Sequence, residues 1–240
     1  IYEKNITSKT KLILMSHMIN LTGQFLPVKK VVNMARKKGI PVIVDGAHSF
    51  GHGEFTIKDL DCDYFATSLH KWLLAPMGTG MLYVRKDKIK GLWPMTPASE
   101  SQDDDIRKFE EIGTHPAGNI LAITEAITFH NGIGAKRKEE RLRYLFRRWA
   151  DRLVKHENIK LHTSLNPKYS CGLANVEVVG VDSNKIGGYL WNKHRMIVTP
   201  IKHDEFEGLR ITPNIYTTLD EVDLFADEME MIAKNGLPNS

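Results

Sequence analysis

Cysteine is scarce in this chain: Cys62 and Cys171 are the only two in 240 residues. They are too few for a disulfide framework and too far apart in sequence for a CxxC redox or zinc pair. Long hydrophobic runs are missing as well. None approaches the roughly 20 apolar residues that span a bilayer, so no membrane is expected as a partner. The first residues, Ile1-Tyr2-Glu3-Lys4-Asn5, lack the basic-then-apolar layout of a secretory signal. Neither sign of charge dominates, since 33 basic against 29 acidic residues leave +4. With the signs interspersed, that balance makes no strong field for nucleic acid or anionic lipid. No internal repeat or low-complexity tract stands out. What is present is an ordinary globular composition, 42% hydrophobic and 26% charged with 18 Gly and 10 Pro. A chain of this length holds one to two domains and buries a core without metal or disulfide staples.

The run Lys11-Leu12-Ile13-Leu14-Met15-Ser16-His17-Met18 reads as a strand, and residues 28–38 as a helix closed by Gly39 and Pro41. Pro41-Val42-Ile43-Val44-Asp45-Gly46 predicts a strand buried on both faces with a polar residue at its carboxyl end. Together these form a βαβ unit, which implies a parallel sheet. Strands over 64–68 and 80–85 flank a loop holding Lys71, Pro76 and Gly78, and a helical pattern resumes over 119–130. Over 135–156, Leu142, Leu145, Phe146, Trp149 and Leu153 recur at helical spacing. The opposite face of that helix is basic, from Lys136 to Arg152. Glu139, Glu140 and Asp151 interrupt it and no aromatic interleaves, so a solvated face is favoured over a nucleic-acid patch and no nucleic-acid partner is expected. After Pro167 the pattern becomes strand 172–178, helix 184–194, strand 196–199, short strand 209–211 and helix 219–233, a smaller α+β unit. The expected organisation is an α/β domain over 1–134, a connecting helix over 135–157 and a small C-terminal domain over 158–240.

Ligands of open α/β sheets bind beyond the carboxyl ends of parallel strands. Three strand ends deliver polar groups there: Ser16-His17-Met18-Ile19-Asn20, Asp45-Gly46-Ala47-His48-Ser49 and Ser68-Leu69-His70-Lys71-Trp72. Taken singly, Asp45 also suits a turn cap, His48 a satisfied core imidazole and Lys71 a plain exposed lysine. Taken together, they place a carboxylate behind one strand and a lysine behind another. A carboxylate keeps a ring nitrogen protonated and a lysine forms a Schiff base with an aldehyde, the two demands of pyridoxal phosphate chemistry. His48 and His52, with Glu54 nearby, have the spacing of a zinc pair. Gly51 and Gly53 make a regular helix improbable there, and no metal site is expected.

On Val44-Asp45-Gly46-Ala47-His48-Ser49, Thr67-Ser68-Leu69-His70-Lys71-Trp72 with Gly78-Thr79-Gly80, and Leu209-Arg210-Ile211-Thr212-Pro213-Asn214-Ile215-Tyr216-Thr217-Thr218, the chain resembles the class V aminotransferase family of fold-type I pyridoxal-phosphate enzymes. That family includes cysteine desulfurases, selenocysteine lyases and isopenicillin N epimerase-like proteins, and the resemblance runs over essentially the whole chain. It implies an α/β large domain with a mainly parallel sheet, incomplete at its N-terminus, plus a small α+β C-terminal domain. It makes Lys71 the Schiff-base lysine and proton shuttle, Asp45 the partner of the pyridinium nitrogen, and His48 a hydrogen-bonding group near the phenolic oxygen. Ser68 and His70 are implied to contact the phosphate. Asn20 is implied near the cofactor oxygen and the substrate carboxylate, and Arg210 as the carboxylate clamp. Thr114, in Glu111-Ile112-Gly113-Thr114, matches a residue that reaches the neighbouring subunit's phosphate in dimeric relatives, which implies a homodimer with shared sites; a helix N-cap role is the other reading.

The resemblance places a desulfurase's catalytic cysteine shortly before the carboxylate-binding arginine. Residues 199–208 here hold none, so persulfide chemistry through a protein thiol is disfavoured. Ser68-Leu69-His70-Lys71-Trp72-Leu73-Leu74-Ala75-Pro76 is similar to the isopenicillin N epimerase-like branch. The expected activity is therefore chemistry at the α-carbon of an amino acid, of aminotransferase or epimerase type, with a C-S or other β/γ lyase and a non-catalytic binding module as alternatives. His203 stands as a second acid–base candidate opposite Lys71 or as a surface residue. The family's upstream phosphate loop and ring-stacking residue find no match, so a longer chain is the expected functional unit. Its expected compartment is the cytoplasm.

Overall fold

The computed structural model describes residues 1–238. These residues group into two units, one formed by Ile1–His17 and Pro27–Gly132, the other by Met18–Leu26 and the chain from Ile133 onward.

In the first unit the elements run α1 (Tyr2–Asn5), β1 (Ile13–Ser16), α2 (Val28–Arg36), β2 (Val42–Asp45), α3 (Ile57–Leu60), β3 (Tyr64–Ser68), β4 (Gly80–Val84), α4 (Ala117–Leu121) and α5 (Ile123–Ile133). The sheet order is β1-β2-β3-β4. β1, β2 and β3 are parallel and β4 is antiparallel to β3. Helix α2 buries Val28, Val31, Val32 and Ala35, the spacing of one helical face, and Gly39 in the left-handed region turns the chain into β2. The single helix expected over 119–130 is two, α4 and α5.

The strand β2 departs from its expected burial. Val42 and Val44 are fully buried with Ile13, Met15 and Phe65 on one face of the sheet. On the other face Ile43 and Tyr64 are half-buried, Leu14 is 67% exposed and Leu82 43% exposed. An apolar run fits burial on two faces, but burial also needs a covering layer, and among the described residues only one face is fully covered.

In the second unit follow α6 (Ala135–Leu153), β5 (Ile159–Leu161), β6 (Ala174–Val178), α7 (Ser183–His194), β7 (Thr199–Lys202), β8 (Glu207–Ile211) and α8 (Leu219–Asn235). The sheet is antiparallel, ordered β5-β6-β8-β7. The strand read at 196–199 begins only at Thr199 and runs through Pro200. A proline is tolerated there because β7 is an edge strand. Helix α6, read from the sequence as a connector, supplies Leu145, Phe146, Trp149 and Leu153 to the core of this unit. Trp149 meets Phe146 and Phe225 edge-on at 5.4 and 5.5 Å. A capping box between Thr218 and Glu221 starts α8.

Four arginines of α6, Arg143, Arg147, Arg148 and Arg152, are engaged in ion pairs. Arg148 forks onto both oxygens of Asp223 at 2.7 and 2.6 Å, and Arg152 pairs with Asp227 at 2.5 Å and Glu230 at 3.1 Å, all on α8. No helix among the described residues is long and apolar enough to cross a membrane.

Two outcomes follow. Trp149→Ala is expected to lower the unfolding free energy by about 3–5 kcal/mol, read by urea denaturation followed by circular dichroism. Asp61, which accepts from Arg36 at 2.5 Å and from Arg85 at 2.6 Å, has its carboxyl drawn down to about 2 by those hydrogen bonds. A carboxyl lowered by folding stabilises the fold above its ordinary range, and that contribution disappears as pH falls through the lowered value. Melting temperatures of the wild type and Asp61→Asn are therefore expected to differ at pH 6 and to converge between about pH 4 and pH 2.

Candidate active site

Two loops at the carboxyl ends of β2 and β3 hold most of the first unit's candidate site residues. The first begins at Gly46, whose N–H donates to Ala66 O at 2.8 Å and prolongs the ladder. A Cβ at Gly46 would lie 1.9 Å from Cζ of Phe65, so the loop can leave the strand here only as glycine. A turn closed by Ser49 N–H to Gly46 O at 3.0 Å follows. His52, 1% exposed, lies 2.9 Å from the main-chain oxygen of His48 through Nδ1; a carbonyl only accepts, so Nδ1 carries the proton. Its ring stacks on Trp72 at 3.7 Å and 29°. Gly51, at φ +69°, permits this packing, since a Cβ there would stand 2.9 Å from the backbone nitrogen of Leu73.

The second loop leaves and returns at one point, with Leu69 N–H donating to Thr79 O at 3.0 Å. Leu69, Leu73 and Ala75 pack with Ala126 and pin it from below. Leu74 sits at φ +68°, a conformation that costs a β-carbon-bearing residue about 1–2 kcal/mol. Between these anchors, Lys71 Nζ lies 3.3 Å from His48 Nε2, and Trp72 Nε1 donates to His48 Nδ1 at 3.4 Å. Trp72 and His52 are members of this cluster that the sequence reading did not assign to the site. The signal for His52 was the pair of histidines four apart around a glycine, read there only as a metal question; Trp72 had no such signal.

An open concavity of about 610 Å³ lies beside these loops, lined by Asp45, Ala47, Ala66, Thr67, Ser68, Gly80, Met81 and Leu82. One oxygen of Asp45 accepts from Ala47 N–H at 2.9 Å, and the other has no partner among the described residues. His70 is exposed. Thr114 is also exposed and is not a cap, because α4 starts with Pro116 in the N-cap position. His17, at the end of β1, is buried edge-on against Phe55 at 4.6 Å, and burial pushes its imidazole down to about 4, which keeps it neutral at pH 7.

In the second unit Arg210 stands on β8 between Asn175 of β6 and Thr199 of β7. Its Nη1 donates to Asn20 O at 3.2 Å and its Nη2 to Thr199 Oγ1 at 3.4 Å, which brings two of the expected site residues together. Nε is buried with no hydrogen-bond partner, and among the described residues no carboxylate is within ion-pair reach. Burial lowers the pKa of this guanidinium. Asn20 is delivered by the turn Met18–Leu26, where Phe25 N–H donates to Tyr169 O at 2.9 Å and Thr163 Oγ1 donates to Thr22 O at 2.7 Å. His203 is exposed at the β7–β8 turn, with Nδ1 accepting from Glu205 N–H at 3.2 Å.

The model of the class-V aminotransferase family matches residues 1–225. The chain belongs to this family. An isopenicillin N epimerase from Amycolatopsis lactamdurans is 30% identical over 242 residues, covering 94% of this chain and 61% of the epimerase. Among solved structures, a cysteine desulfurase from Thermococcus onnurineus NA1 superposes with a TM-score of 0.82 at 26% identity, over 98% of this chain and 62% of that one. A complex of the cystine C-S lyase C-DES with cysteine persulfide superposes with a TM-score of 0.82 over 94% of this chain and 62% of the lyase; at 21% identity this is a likeness of fold alone. The chain thus spans about three-fifths of the length of these proteins. The fold is that of fold-type I pyridoxal-phosphate enzymes, and class-V proteins use that cofactor for several reaction types.

The residues present fit pyridoxal phosphate. A carboxylate oxygen without a partner borders the concavity, its walls at Ala47, Ala66 and Gly80 are small enough to admit a flat ring, and a lysine amine is held one loop away. Neither cysteine fits a nucleophile's role: both are buried, and burial pushes the Cys62 thiol up to about 11 and the Cys171 thiol up to about 12. At pH 7 the folded protein is accordingly expected to resist iodoacetamide at both positions, with two adducts by mass spectrometry only after denaturation.

Proposed function

We propose that this chain carries the reacting part of a pyridoxal-phosphate enzyme acting at the α-carbon of an amino acid, of aminotransferase or epimerase type. The observation that carries the reading is the pairing of the Lys71 amine with His48 behind β3, beside the Asp45 carboxylate at the end of the adjoining parallel strand. Pyridoxal phosphate, when bound, supplies an electron sink for charge developing at the substrate's α-carbon. Asp45 holds the proton on the ring nitrogen and so preserves that sink. Lys71 would hold the cofactor through its amine and, as a free amine, would serve as the base for the proton on the substrate's α-carbon. His48 hydrogen-bonds near the phenolic oxygen, and Ser68 and His70 bind the phosphate.

Arg210 grips the substrate carboxylate. A half-buried guanidinium with no counter-charge within reach among the described residues supports this, because its donor fork matches two carboxylate oxygens. Asn20 belongs to the same grip. Thr114, exposed on its segment, serves the neighbouring subunit's phosphate in a homodimer. A lyase that works through a protein thiol is the weaker reading, because the β7–β8 turn holds no cysteine and both thiols are buried.

The decisive measurement is an absorbance scan with added pyridoxal phosphate. The wild type is expected to develop a visible band that Lys71→Ala loses, and turnover of the reactive amino acid is expected to fall by about 10³-fold in that variant. No band in the wild type, or a band that survives Lys71→Ala, would overturn the reading in favour of a non-catalytic homologue. Proton exchange at the α-carbon in heavy water, followed by product identification, then separates inversion from keto acid formation and from loss of a side-chain group.

A further inference from the structure

We propose that Trp72 is a positioning residue which fixes the tautomer of His48 and thereby presents an N–H, not a lone pair, to Lys71. An indole nitrogen donates and never accepts. With Trp72 Nε1 donating to His48 Nδ1 at 3.4 Å, that ring nitrogen must offer its lone pair. The single proton of neutral His48 then resides on Nε2, which faces Lys71 Nζ at 3.3 Å.

A proton on Nδ1 would confront the indole N–H donor to donor, whether His48 carried that proton alone or with a second one on Nε2. The indole contact is therefore met only with Nδ1 unprotonated, which leaves the imidazole proton on Nε2, the nitrogen nearest Lys71.

The rest of the cluster holds this order in place. His52 donates through Nδ1 to the main-chain oxygen of His48, and its ring stacks on the indole at 3.7 Å. Trp72 is 4% exposed and His52 1% exposed, so water competes little for either contact. A donor chain of Trp72, His48 and Lys71 results, with His52 as the buttress that keeps the indole aimed. The arrangement concerns the protein's own nitrogens and exists without cofactor. Its bearing on catalysis rests on the function proposed above, where the same Nε2–H is available to the phenolic oxygen.

The test is nitrogen NMR of the cofactor-free protein labelled with ¹⁵N-histidine at neutral pH, with the His48 signals assigned by their absence in His48→Phe. The wild type is expected to show His48 protonated at Nε2 and unprotonated at Nδ1; a proton on Nδ1 overturns the proposal. In Trp72→Phe, which keeps a ring and removes only the donor, the Nδ1 resonance is expected to move away from its hydrogen-bonded position, and an unmoved resonance overturns it. If Trp72→Phe does not fold, the converse variant decides: in His48→Phe the Trp72 indole N–H is expected to exchange with solvent faster, and unchanged exchange overturns the proposal. For the link to Lys71, the rate at which folded Trp72→Phe develops the pyridoxal phosphate band is expected to fall by about tenfold at unchanged final amplitude. An unchanged rate overturns that link. A wild type that develops no band at all contradicts the proposed function alone, because the nitrogen signals are read without cofactor.

Discussion

The parallel ladder that sets Ser16 beside Asp45, and Asp45 beside Ala66, governs the chemistry available to the first unit. Side chains alternate faces along a strand, so a slip of one residue would turn Asp45 from the concavity to the core and bring a valine in its place. Antiparallel β4 sets Gly80 opposite Ser68, which obliges the chain between them to make a closed excursion. Lys71 lies in the first turn of that excursion. The carboxylate and the amine are thus held in relation by backbone pairing, with side-chain contacts refining what the ladder has already set.

Around that ladder the cost of close approach is concentrated in a few residues. Gly46 and Gly51 occupy positions where a β-carbon would strike Phe65 or the backbone at Leu73. Leu74 accepts a left-handed conformation that leucine disfavours, held by the buried side chains of Leu73 and Ala75 on either side. Such local violations of backbone preference collect where geometry is needed for function, and the surrounding packing sustains them. The second unit is organised differently: a tryptophan-centred core and ion pairs between two helices support a short antiparallel sheet, and one of its two inner strands carries Arg210.

Much of this was legible in the sequence because it is local. The periodicity of 28–38 and the β-branched run at 42–44 announce α2 and β2, and strand β3 occupies the span read for it. The polar residues behind those strands stand out as site candidates for the same reason. What escaped reading depends on distant neighbours. The one-sided burial of β2 is set by what packs over the sheet, which periodicity does not encode. Strand β7 was misplaced because Pro200 argues against a strand until its place at a sheet edge is known. The part played by Trp72 is invisible in sequence, since an aromatic after a lysine is ordinarily core, and only the fold turns its nitrogen toward His48. The association of Asn20 with Arg210 is likewise a matter of tertiary structure, joining residues 190 positions apart.

The burial of the two thiols has a consequence for the kind of chemical injury the protein sustains. A thiol kept protonated and shielded does not enter the sequence from sulfenic to sulfonic acid, so peroxide finds no ready cysteine. Thioether sulfur has no such protection: Met77 is 84% exposed, on the loop that carries Lys71, and Met95 is fully exposed. Oxidant is therefore expected to act first on methionine, as a sulfoxide that methionine sulfoxide reductases can undo, and repair at Met77 would bear directly on the loop that carries Lys71.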